Sequence, residues 1–330
     1  MTTRRSVITA AAAAGAALAL PRAALAQGST AIRISTAAPP TDFLARACEA
    51  LKSEVDAASA GLAVSVHTAS TLFRQGSEVQ ALQRGNLEMS TMTTFEVAQQ
   101  LADLGYFNRG YLFRDHAHLR RVFDGPLGEA YRKTVAERMG IEILATHYLG
   151  TRQVNLRTKR AVRTPADLAG VKLRMPSGPE WLLLGRTLGV SPVPLGMPEV
   201  YLALKTGTVD GQENPLSILN AAKLYEVSEQ VSLTAHMLQP VFFAIAKPVW
   251  DKLSADQKRL LEGAARKAAK AGDDGRLADE TQIIAALKER KLAVEPVDLD
   301  AFRTSADRAY TGSDATKAWD LDGLKRVQAA

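Results

Sequence analysis

The alternation of apolar and polar positions divides most of the chain into short strands and helices. Ala31-Ile32-Arg33-Ile34-Ser35 alternates with the two-residue period of a half-buried strand and runs into Pro39-Pro40, a turn. Thr41 or Asp42 can cap a helix over 43–59, where Phe43, Ala47, Leu51 and Val55 recur every four residues. Gly61 ends it, 62–66 reads as a second strand, and a loop carrying Phe73 and Arg74 leads to a helix near 77–84 and a strand over 87–92. The same grammar returns after the middle. Strand-like stretches lie at 142–146, 153–157 and 171–175, helices at 180–188 and 198–205, and a brief strand at 207–211. This alternation predicts an α/β protein with mixed sheets and helices on both faces.

The last third reads as helices. Ser254-Ala255-Asp256-Gln257 has the form of a capping box, and a helical pattern runs to about Lys288, with Gly272 and Gly275 as places for a bend or break. A helix of that length suits the bridging of two lobes. Two α/β units with no long linker between them imply an interface, a favoured place for a ligand cleft.

The first residues follow another logic. Arg4 and Arg5 precede an apolar run from Val7 to Leu20, followed by Ala24-Leu25-Ala26. That is the layout of an export signal over 1–26, directing the protein to the periplasm by a twin-arginine or an ordinary secretory route. The run is too short for a comfortable membrane span. Loss of Arg4, Arg5 and Arg22 with the signal lowers the formal net charge from +6 to +3. The remaining cations are interleaved with acids, so no nucleic-acid partner is expected.

Candidate chemistry is sparse. Of 330 residues, 46% are hydrophobic and 23% charged, ordinary values for a chain that can bury a sizeable core. The single cysteine, Cys48, sits beside an apolar helical stripe and reads as a small buried hydrophobe. His116 and His118 are two apart in what looks like a helix start and read as a solvated polar turn; no metal or cofactor is expected. No dinucleotide, phosphate-loop, zinc-protease or nucleophile-elbow motif occurs. What stands out is Arg174 within Val171-Lys172-Leu173-Arg174-Met175-Pro176, and Arg152 after Gly150-Thr151. A guanidinium facing an interior needs an anionic partner, whether a ligand or an internal acid; the alternation equally allows Arg174 a wet face.

These residues belong to longer words. Gly150-Thr151-Arg152-Gln153, the run from Thr164 to Pro176, Leu188 to Pro194, Glu199 to Gly207 and Val209-Asp210-Gly211-Gln212-Glu213-Asn214-Pro215 together resemble the periplasmic solute-binding proteins of TRAP-type transporters. The resemblance implies a two-lobed periplasmic binding protein fold with a hinge and a long lobe-bridging helix. It divides the mature chain into lobe I, 27–150 with about 240–278, and lobe II, 151–239 with about 279–330. It implies a receptor that captures a small organic acid and delivers it to membrane permease subunits, without catalysis and as a monomer. Arg174 would form a paired salt bridge to the ligand carboxylate, Arg152 a second contact, and Asn214 a ligand-facing position. Thr93, Met197, Trp181 and Phe73 complete the expected site. Thr93 stands where sialic-acid-binding members carry an acid, and Met197 where they carry Phe. That lost acid and the indole of Trp181 argue for an organic acid with an apolar body over a heavily hydroxylated sugar acid. An exported α/β enzyme and an oligomeric binding module are the alternatives.

Overall fold

The computed structural model describes residues 29–330, and the signal-like segment 1–26 lies outside them. Nine strands form one mixed sheet in the order β2-β1-β3-β8-β4-β7-β5-β6, with β9 added to β8. They are β1 (Thr30–Ser35), β2 (Leu62–His67), β3 (Met89–Thr93), β4 (Ile141–Leu156), β5 (Lys172–Met175), β6 (Ser191–Pro194), β7 (Gly211–Pro215), β8 (Gln230–Ala246) and β9 (Ala293–Pro296). The architecture depends on β4 and β8, which run antiparallel to each other through both lobes. The late half of β8 pairs with β3, from Met89 opposite Ile245 to Thr93 opposite Val241. Its early half pairs with β9, and the late half of β4 pairs with β7. One pair of strands thus supplies the inner edge of two separate half-sheets.

The register between β4 and β8 shifts at Tyr148/Gly150 and again at Arg152/Val154, at the crossing between the halves. In the second shift, Leu233–His236 loop out opposite Gln153. Ala235 takes a left-handed φ of 43°, and its N–H donates to Gln153 Oε1 at 2.7 Å. Such bulges bend a strand pair locally.

The long helix Ala255–Glu289 starts at the capping box of Ser254 and Gln257 and lies across the hinge. It packs on the helix Phe43–Ala58 of one lobe, on β4, and on the helix Leu216–Ala221 of the other. Its polar residues fasten β4 where the register shifts. Asp273 accepts from Tyr148 N at 2.7 Å and from His147 Nδ1; Glu280 accepts from Thr151 N at 2.9 Å and Tyr148 Oη at 2.9 Å. Arg276, fully buried, joins Asp42 of one lobe (Nη2 to Oδ1, 2.9 Å) to Ser217 of the other.

Several expectations change. The long helix is unbroken: Gly272 and Gly275 serve close approach, since a Cβ at Gly272 would lie 2.7 Å from His147 Cε1 and one at Gly275 2.9 Å from the Phe43 ring. The stretches 142–146 and 153–157 are one strand, β4. Residue 207 is a left-handed helix cap, φ 75°, and the strand begins only at Gly211. The strands β8 and β9 were not expected. His118 is buried, with Nδ1 accepting from Arg114 N and Nε2 2.8 Å from Val327 O, so it is no solvated turn. Cys48, by contrast, is buried as expected, and burial pushes its thiol well up.

The chain's end reaches back to residues 103–114. Asp320 N donates to Asp103 O at 2.9 Å, and Arg114 reaches the carbonyls of Gln328 and Ala330 at 2.8 and 2.9 Å. The helix Leu321–Ala329 therefore packs on lobe I, while Leu299–Thr311 packs on lobe II against the helix Pro179–Thr187. A late crossing back to lobe I leaves no local pattern in sequence.

The two kinds of helical glycine have opposite expected responses. Gly272→Ala should destabilise by about 1–3 kcal/mol through overpacking against His147. Gly263→Ala, with open space around its added Cβ, should stabilise by about 0.5–1 kcal/mol. Denaturant titration of the two variants measures both signs.

Candidate functional site

Between the lobes lies a cleft walled by residues of both. Six of the seven residues expected in the site line it: Arg174, Arg152, Asn214, Trp181, Met197 and Thr93. Phe73 does not; it packs against the lobe I core, and Gln75, two residues on, takes the place in the wall.

The two arginines meet different fates. Arg152 is paired within the protein. Its Nε and Nη2 grip Glu213 (Nη2 to Oε1, 2.6 Å), Nη2 also reaches the Glu213 carbonyl at 2.8 Å, and Nη1 donates to Gln239 Oε1 at 2.6 Å. His236 Nε2 lies 3.0 Å from Glu213 Oε2 on the other side. Burial raises the Glu213 pKa, but Arg152 and His236 together outweigh it and hold the carboxyl down at about 2. Glu213 therefore stays ionised and neutralises Arg152.

Arg174 has no such partner. It is 1% exposed; Nε donates to Leu195 O at 2.8 Å and Nη2 to Gln75 Oε1 at 3.1 Å. Among the described residues no carboxylate oxygen comes within 4 Å of it. Burial pushes its pKa down to about 9, against the attraction of Glu213 and with a smaller push from the Arg152 charge. A guanidinium remains protonated at neutral pH even so. The result is a buried cation whose counter-charge the protein does not supply. A planar fork in a desolvated cleft suits a carboxylate, which it can meet with two parallel hydrogen bonds.

Trp181 is a packing residue and a wall residue at once. Its ring stacks on Phe95 with centroids 3.5 Å apart and planes 7° apart, and Arg152 sits 4.9 Å from its centroid. The indole thereby holds Arg152 in place. Asn214 donates to Gln212 Oε1 at 2.6 Å, and its amide lies 3.8 Å from Met197 Sδ. Thr93 caps the helix Thr94–Ala98 in a capping box with Glu96, so its hydroxyl is already engaged.

Among the wall residues that sequence does not point to are two acids, Glu78 and Glu96. Glu96 reads in sequence as the third residue of a capping box and Glu78 as an acid in a first helical turn; neither signal points to a cleft. Burial pushes the Glu78 carboxyl up to about 7, partly offset by backbone N–H groups and helped by the nearby charge of Glu96. Burial likewise raises Glu96 against the hydrogen bonds from Thr93. The acid thought lost at Thr93 is thus replaced three residues later, and the inference toward an apolar ligand body loses its main support. Paired carboxyls with raised pKa values in a cleft are also an acid–base signature, which keeps an enzyme in play on geometry alone.

Comparison with known proteins removes that ambiguity. Residues 34–316 match the family described as bacterial extracellular solute-binding protein, family 7. A solute-binding protein of Verminephrobacter eiseniae is 31% identical over 308 residues, 93% of this chain and 91% of that one. A TRAP periplasmic solute-binding protein of Roseobacter denitrificans, solved with 3-deoxy-D-manno-oct-2-ulosonic acid bound, is 39% identical with a TM-score of 0.88, covering 91% of this chain and 99% of its own. One from Polaromonas sp. JS666 bound to D-erythronate is 28% identical with a TM-score of 0.85, covering 92% and 99%.

The Glu78 carboxyl gives a pH signature. Its folded-state pKa lies above the unfolded value, so the native protein holds a proton that the unfolded chain has lost between about pH 4.5 and 7. Its stabilising contribution is complete below that window and falls as pH rises through it. Relative to wild type, Glu78→Gln should gain up to about 3 kcal/mol between pH 5 and pH 8. Denaturant titrations at the two pH values, compared between the proteins, test it; equal pH slopes would remove the shift.

Proposed function

The chain belongs to family 7 of the bacterial extracellular solute-binding proteins, and from that premise we propose that Arg174 anchors the carboxylate of a small organic acid between the two lobes. The protein is a binding receptor of TRAP type and not an enzyme. It works with a TRAP membrane permease, and its ligand class is that of small organic acids. The anchor reading rests on one observation above others: a fully buried guanidinium in the cleft without a protein carboxylate. The relatives with 3-deoxy-D-manno-oct-2-ulosonic acid and D-erythronate support it, since both ligands are monocarboxylates rich in hydroxyls.

Arg152 acts differently from the expectation of a second carboxylate contact. With its fork held by Glu213, it shapes the wall through Trp181 and Gln239 and adds a neutralised dipole to the cleft. Asn214 and Met197 line the floor from lobe II. The lobes divide at the crossing near residues 150 and 239. Residues 29–150 and about 240–278 form lobe I together with the terminal helix, and 151–239 with 279 to about 311 form lobe II. The receptor acts as a monomer without nucleic acid, consistent with its mild charge after residue 26.

Titration calorimetry with 3-deoxy-D-manno-oct-2-ulosonate and D-erythronate tests the anchor. Arg174→Ala should lose roughly 30- to several-thousand-fold in affinity, the range for removing one partner of a buried charge pair. Arg174→Lys should fail almost as badly, because an ammonium cannot supply the fork. Wild-type affinity in Arg174→Ala would sink the anchor. Export is tested separately. The Arg4-Arg5 start, the apolar run and Ala24-Leu25-Ala26 support cleavage after Ala26, so the periplasmic protein should have an intact mass beginning at Gln27. A full-length cytoplasmic product would exclude it.

A further inference from the structure

The cleft carries opposite charges on opposite walls. Arg174 comes from β5 in lobe II, while Glu78 opens the helix Glu78–Gln83 and Glu96 lies in the helix Thr94–Ala98, both in lobe I. Among the described residues, neither carboxylate comes within 4 Å of a Lys, Arg or His nitrogen. Glu78 Oε2 takes Gly76 N at 2.7 Å, and Glu96 Oε2 takes Thr93 N at 2.8 Å and the Thr93 hydroxyl. Among the described residues, no side chain donates to the Oε1 atom of either. Such an oxygen can still accept from a ligand hydroxyl.

We propose that Glu78 and Glu96 determine specificity: they receive the hydroxyl hydrogens of the ligand's far end and reject a second carboxylate there. The inference rests on Arg174 as the carboxylate anchor. With one end of the ligand fixed on Arg174, the other end meets two carboxyl groups. A polyhydroxylated monocarboxylate offers hydroxyls that can pair with both. A dicarboxylate offers acceptors only, and it meets a like charge where the two glutamates are ionised, which for Glu78 is above about pH 7, so discrimination comes from a repulsive element as well as an attractive one. Of the remaining polar wall residues, Thr36, Thr91, Thr93, Gln75, Gln239 and Asn214 are neutral and Arg152 is paired with Glu213, so they do not alter that polarity.

D-Erythronate and succinate form a matched test, since both are four-carbon acids and differ in carrying hydroxyls or a second carboxylate at the far end. Calorimetry on the wild-type protein should show D-erythronate binding at least about 100-fold tighter than succinate, the discrimination expected when buried polar groups are left unpaired or opposed. Glu78→Gln and Glu96→Gln keep a carbonyl acceptor, and glutamine at position 96 still completes the capping box, so both should fold; melting curves check this. Each should weaken D-erythronate by about tenfold, as a charge-assisted hydrogen bond becomes a neutral one. The double variant should bind succinate more tightly than wild type and compress the preference. Succinate binding within threefold of D-erythronate in wild type, or an unchanged ratio in the double variant, overturns the proposal. If either occurs while Arg174→Ala still abolishes binding, the anchor stands and only the role of the two glutamates fails.

Discussion

The site depends on how the protein distributes charge between two buried arginines. Both lie in strands of lobe II, both line the cleft, and both are almost inaccessible to water. For Arg152 the desolvation is offset inside the protein: Glu213 binds its fork, His236 braces Glu213, and the indole of Trp181 covers its face. Removing one member would leave a buried charge without compensation, which costs about 3–5 kcal/mol, so this group is tied to folding. For Arg174 the offset is only partial, a carbonyl and an amide oxygen. The difference turns one cation into scaffold and leaves the other with unmet demand for an anion.

That demand acts on a hinge built to respond. The lobes share β4 and β8, and the register shifts near Tyr148, Gly150 and Arg152 concentrate bending where the strands pass from one half-sheet to the other. The long helix overlies this point and takes up backbone donors with Asp273 and Glu280, while Arg276 ties Asp42 to Ser217 across the lobes. Gly272 lets the helix approach closely enough for that bonding. The helix is thus a spine laid against a bent strand pair, and close approach explains why Gly272 and Gly275 sit within an unbroken helix at some expense in propensity.

Much of this was legible in sequence, and the exceptions share a cause. The opening strands and helices carry clear periods and capping signals, and Arg174 and Arg152 stood out because cations in apolar strands demand explanation. β8 did not, because Val241 to Ala246 is apolar throughout, and a fully buried strand cannot be told from a buried helix by period. Glu78, Glu96 and Gln75 were missed for a different reason. Each reads locally as a cap, a first-turn acid or a loop residue, and only the packing of the first lobe against the second turns it toward the cleft. His118 was misread in the same way, since its partner Val327 lies 209 residues away. Local chemistry predicts local structure; a cleft is made by long-range contacts that leave no period.

Gln75 connects the anchor to closure. Its Oε1 accepts from Arg174 Nη2 at 3.1 Å and from Met197 N at 2.8 Å, so one lobe I amide holds two lobe II donors. The exposed pair Arg74–Glu199 at 3.3 Å spans the same rim but contributes little in water. The two lobes are thus joined across the cleft at Gln75, whose amide oxygen compensates the Arg174 charge only in part. On the proposed anchoring, a ligand carboxylate on Arg174 would supply what an amide oxygen cannot, and only where both lobes surround it. Its affinity for the closed form must exceed that for the open form, and that difference alone sets how far binding shifts the balance between them.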